Sequence, residues 1–198
     1  MNNIIKYGVV FDTNVYRSLV ISKKSIIELK KSLEIVKYNE KSHNVFSYAH
    51  PIVMSELLYH LTDINDKDYQ TCKKAVYFLI EHCCDEKDRI HVIEDSESLL
   101  SHILFGINFD QNKKHVQSLQ ITCKYIHDNF DNNFEDWILE YLFKNKEYVE
   151  EKENEFAKLM EKHVIKYLNP TANSWNPLRD NSEARIKALK LIGSDDFL

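Results

Sequence analysis

"KYGVVFDTNVYRSL", residues 6–19, sets the terms on which the rest of the chain is read. An apolar run, Val9, Val10 and Phe11, follows Gly8 and stops at a carboxylate, Asp12. A short β-branched run of this kind predicts a buried strand, and the helical spacing after Asp12 predicts a helix behind it. A carboxylate at the tip of a buried strand costs free energy unless it is paired, hydrogen-bonded or bound to a metal. Two roles compete for it. Asp12 caps the following helix, with Asn14 as a second capping candidate, or it belongs to a site.

Working outward, apolar spacing from Val15 to Val36 predicts a helix, "NVFSYA" (44–49) a second strand, and "PIVMSELLYHL" (51–61) a helix with Pro51 in its first turn. Residues 69–83 repeat the helical pattern, and "RIHVIED" (89–95) alternates as a third strand. Strands separated by helices predict an α/β unit with a parallel sheet. After Asp95 the strand signal fades, and helices are predicted over 97–105, 112–130, 134–147 and 149–168. "NPTANSWNPLRDNS" (169–182) reads as a linker, and 183–192 as a last helix ending at Gly193. The expected organisation is an α/β portion over 1–105, a helical insertion or subdomain over 106–168, and a linker with a C-terminal helix over 169–198.

Composition narrows the field. Three glycines and three prolines in 198 residues are too few for the many tight turns of a sheet-rich fold. A Gly-rich phosphate loop is excluded with them. No apolar run approaches the roughly 20 residues of a membrane span. The opening "MNNIIKYGVVFD" reaches an acid too soon for a secretory signal, so a cytoplasmic location without membrane association is expected. The net charge of −5 argues against a wholly basic nucleic-acid binder. Its distribution is uneven, because residues 1–60 carry eight Lys/Arg against five Asp/Glu, and local charge steers polyanions better than the total does. Cys72, Cys83, Cys84 and Cys123 show no Cys-x-x-Cys spacing, and "EHCCDE" reads as the reduced end of a helix in preference to a zinc cluster.

A second acid changes the weight on Asp12. Glu56 lies about one and a half turns into the helix that follows the second strand, and helical side chains lean toward their N-terminus. It therefore reaches toward the sheet edge that Asp12 occupies. In open α/β sheets ligands gather at the carboxyl ends of the strands. Two carboxylates there make a hard, oxygen-rich site suited to Mg²⁺ or Mn²⁺.

"VVFDTNVYRSL", followed 44 residues later by the glutamate of "PIVMSELLYHL", resembles the opening half of a PIN domain. The resemblance covers residues 5–95 and implies a PIN-like core and a metal-dependent nuclease, a hydrolase acting mostly on RNA. It places Asp12 and Glu56 as metal ligands, with Thr13 and Asn14 holding the first acid and the attacking water. The family's third and fourth acids have no clear counterpart. Asp180, Asp195 and Asp196 are acids of uncertain placement. A truncated PIN fold with a helical insertion, and a degenerate domain that serves as a helical interaction module, both remain open. Asn14 argues against haloacid-dehalogenase-type phosphatases, which need a second Asp at that position. His50 and His60 flank the Glu56 helix and read as surface or packing residues.

Overall fold

In a computed structural model, residues 7–21, 25–85, 89–93 and 113–160 are described. Their elements run β1 (Tyr7–Val10), α1 (Thr13–Ile21), α2 (Ile26–Ser42), β2 (Val45–Tyr48), α3 (Pro51–Tyr59), α4 (Tyr69–Cys83), α5 (Lys113–Asp128) and α6 (Asp136–Met160). The chain is mixed helix and strand, and mostly helical. It divides into two compact units, residues 1–146 and 147–198, and the division falls within α6.

β1 and β2 pair in parallel, Tyr7 opposite Val45 through Val10 opposite Tyr48. Asn44, at the turn before β2, takes a left-handed φ of 55°, which asparagine tolerates better than most residues. The Tyr48 ring lies across Gly8, where a Cβ would stand 3.2 Å from it. Over the described residues 89–93 the predicted third strand is reduced to single bridges. Ala49 donates to His91 (2.8 Å) and accepts from Ile93 (3.0 Å), whereas His91 donates back to Cys83 (2.9 Å). This short stretch divides its hydrogen bonds between two partners, so no continuous ladder forms.

The expectation that β1 is buried is overturned. Tyr7 is 58% and Val10 38% exposed. Among the described residues β1 has a strand on one side only, and nothing covers its outer face. The expected helix from Val15 to Val36 is two helices. Ser25 adopts an extended backbone and starts α2 with a reciprocal capping box, its hydroxyl accepting from Glu28 N–H and the Glu28 carboxylate from Ser25 N–H. The expected helices at 134–147 and 149–168 run together through residue 148. No Gly or Pro interrupts that stretch, and its Glu and Lys residues favour helix. The expected elements at 97–105, 161–168, 169–182 and 183–192 lie outside the described residues, as do Asp180, Asp195 and Asp196.

α4 is the axis of the first unit. Phe78, Leu79, Ile80, Val76 and Cys72 are buried along it. Around it pack Tyr16 and Val20 of α1, Leu29 and Leu33 of α2, Met54, Leu57 and Leu58 of α3, and Leu119 and Ile126 of α5, and Ile138 and Leu142 of α6 belong to the same buried cluster. In the second unit the described residues continue α6, where Lys152 pairs with Glu155 at 2.7 Å.

Candidate functional site

Asp12 occupies the step between β1 and α1. Its carbonyl accepts from Val15 (3.0 Å) and Tyr16 (3.2 Å) N–H, and its Oδ1 accepts from Asn14 N–H at 3.1 Å. Asp12 therefore caps α1, which is the structural role the sequence offered. The cap uses one carboxylate oxygen. Among the described residues Oδ2 accepts no hydrogen bond, and the side chain faces solvent.

Thr13 follows immediately and is buried, 8% exposed. Its hydroxyl donates to Glu56 Oε2. α3 is positioned for this contact by Pro51 in its first turn and by His50, whose Nδ1 accepts from Ile52 N–H at 3.2 Å. Met54, Leu57 and Leu58 anchor the buried face of α3, leaving Glu56 on its exposed side. Glu56 also keeps one oxygen, Oε1, without a hydrogen bond among the described residues. The hydroxyl of Thr13, the residue after Asp12, thus brings Glu56 to the carboxyl end of β1.

A buried polar network stands behind this corner. His82 Nε2 lies 2.8 Å from Glu40 Oε1 and 2.9 Å from the Ser47 hydroxyl, which itself donates to Glu40 at 2.5 Å. A carboxylate can only accept, so Nε2 carries the proton. Nδ1 of the neutral ring then accepts from the Tyr16 hydroxyl at 3.1 Å. Burial lowers the His82 pKa against the pull of the Glu40 carboxylate. It also raises that of Tyr16 well above the phenol range and pushes the Cys83 thiol up to about 12. Cys83 is therefore no nucleophile at neutral pH. The network ties α1, α2, β2 and α4 together, and Phe11, the residue before Asp12, packs its ring 4.8 Å from the His82 ring. Sequence reasoning missed it because Glu40, Ser47 and His82 lie on separate elements with no local spacing to link them.

One turn farther along α1 and α3 a second polar cluster lies at the α3–α4 corner. Arg17 binds Asp68 at 2.8 Å, and His60 Nδ1 lies 3.0 Å from Asp66 Oδ2. Asp66 Oδ1 accepts from Asp68 N–H at 2.8 Å, and this bond, with the His60 contact, holds the Asp66 carboxyl below its usual range. Its sequence signal was available. Thr13 and Arg17, and Glu56 and His60, are each four residues apart on their helices and share a face.

No family model, no curated protein and no solved structure matches the chain.

Proposed function

We propose that this chain carries a metal-dependent nuclease site of the PIN type, cleaving RNA phosphodiesters, with Asp12 and Glu56 as its metal-holding acids. The contact that supports the reading joins Thr13, the residue next to Asp12, to Glu56, 43 positions along the chain, at the end of β1. Each acid has one oxygen engaged by the protein and one left over. That donor set fits Mg²⁺ or Mn²⁺, which bind through one or two carboxylates and complete their shell with water and substrate phosphate. When bound, such an ion lowers the pKa of a coordinated water and offsets charge on the phosphate.

The chain's own residues supply orientation. The Asn14 N–H fixes Asp12 so that Oδ2 points outward, and Thr13 fixes the Glu56 carboxylate. The exposed Asn14 carboxamide is placed to orient water or a nucleotide beside them. The rival reading, an interaction module, calls for a continuous apolar stripe on the later helices. Among the described residues the exposed large apolar side chains of these helices are Ile121, Trp137, Phe143 and Tyr148, and on α6 Phe143 lies on a different face from Trp137 at 3.6 residues per turn.

Mn²⁺ titrated into the wild-type chain, Asp12→Asn and Glu56→Gln, followed by heat or paramagnetic signal, tests the proposal. Binding that both substitutions weaken, with Mn²⁺-dependent cleavage of single-stranded RNA, is the expected result. Absence of Mn²⁺ binding in the wild type rejects a working site in this chain.

A further inference from the structure

We propose that His60, Asp66 and Asp68 form a second metal site, for a divalent transition-metal ion such as Zn²⁺, at the corner between α3 and α4. One ligand atom from each residue lies within 4.8 Å of the other two. His60 Nδ1 and Asp66 Oδ2 stand at a hydrogen-bond distance of 3.0 Å, and two bonds of about 2.1 Å at a tetrahedral angle end about 3.4 Å apart, so the pair separates by only a few tenths of an ångström to share one Zn²⁺. In the ion-free chain a proton bridges these two atoms. An ion replaces it, and the imidazole then carries its proton on Nε2.

Asp68 supplies an independent observation. It stands at the N-cap of α4, where an aspartate ordinarily turns its carboxylate onto the first N–H groups of the helix. Here its side chain makes no capping bond and is directed instead to Arg17 at 2.8 Å. The Arg17 guanidinium already pairs with this carboxylate, so an ion would share Asp68 with it. Arg17 uses Oδ1, leaving Oδ2 for an ion. The three donors come from nine residues of chain, on a corner held by Leu58 before it, Leu61 within it and Tyr69 and Cys72 after it, all buried. An imidazole nitrogen beside two carboxylates selects Zn²⁺, Mn²⁺ or Fe²⁺ over the all-oxygen preference of Mg²⁺ and Ca²⁺.

The proposal does not rest on Asp12 and Glu56, and its test disables them. Zn²⁺ is titrated calorimetrically into the full chain carrying Asp12→Asn and Glu56→Gln, and into the same chain with either His60→Gln or Asp66→Asn added. The Asp66→Asn carboxamide keeps an oxygen to accept from Asp68 N–H, so that variant preserves the corner, and helical circular dichroism verifies each fold. One saturable Zn²⁺ site, weakened at least about tenfold by each added substitution, is the expected result; even outer partners of a metal site act on that scale. Absence of saturable binding, or binding that survives either added substitution, overturns it. Either outcome leaves the Mn²⁺ test of Asp12 and Glu56 unaffected.

Discussion

α4 and β1 are both central to the chain's reading, yet they sit in opposite environments. Eleven of the fifteen residues of α4 are buried, whereas three of the four in β1 are exposed and Val9 is half-buried. The helix holds the first unit together, and the strand delivers Asp12 to the surface. A carboxylate with a free oxygen is tolerated at the strand end because water reaches it. Inside the α4 layer the same charge would cost several kcal/mol. Stability and the candidate chemistry are thus separated in space, and substitutions distinguish them.

The largest effect is expected in the core. Phe78→Ala removes a fully buried ring and is expected to cost about 3–5 kcal/mol, whereas Val10→Ala on β1 costs about 0.5 kcal/mol or less. Urea unfolding of both variants measures the contrast, and equal losses would break it.

Next comes activity. Glu56→Gln is expected to lower Mn²⁺-dependent RNA cleavage at least 100-fold, about 2.7 kcal/mol of transition-state free energy, with little change in the urea midpoint. Asp12 refines this separation. Asn caps helices about as well as Asp, so Asp12→Asn is expected to lose cleavage and keep stability. Asp12→Ala is expected to lose cleavage and about 1 kcal/mol of stability besides. Stability loss in Asp12→Asn would show that the charge itself serves the fold.

A pH effect follows from His82. Burial holds its folded pKa below the unfolded value of about 6.5. Below that value the unfolded chain binds more protons than the folded one, so stability is full above pH 6.5 and declines as the pH falls from there. The half-buried His115 has its pKa lowered by burial too and adds to the decline. The lowered Asp66 and Glu81 act in the same direction but at more acid pH, below the ordinary carboxylate values. A urea midpoint that drops between pH 7.5 and 5.5 is expected, with a shallower drop in His82→Gln. A midpoint that rises over that interval would show that Glu40 holds the imidazole cationic, and a flat one would show that folded and unfolded chains bind the same number of protons.

The smallest effect concerns α6. Among the described residues the hydroxyl of Tyr141 and Oδ1 of Asn145, one turn apart, are buried without a hydrogen-bond partner, although Asn145 Nδ2 donates to the Ser55 carbonyl at 2.9 Å. Removing an unsatisfied hydroxyl leaves no orphan partner behind. Tyr141→Phe is therefore expected to leave stability unchanged or raise it by up to about 1 kcal/mol in thermal unfolding.

By itself the sequence determined the local elements. The β-branched run before Asp12, Pro51 at the start of α3 and the apolar spacing of residues 69–83 each state a backbone preference within a few residues, and the structure follows them. Ser25 and Glu28 were equally legible as a helix start, though the apolar spacing across them reads as one helix. The contact between Thr13 and Glu56 was partly legible, since each belongs to a strand–helix step that points to the same sheet edge. Only the tertiary structure decided three further matters. It showed how exposed β1 is, because burial depends on which elements cover a strand. It joined Glu40, Ser47, His82 and Tyr16, whose contacts span up to 66 positions. And it turned Asp68 away from its own helix toward Arg17 and His60, a choice set by packing across α1, α3 and α4 that no local pattern records.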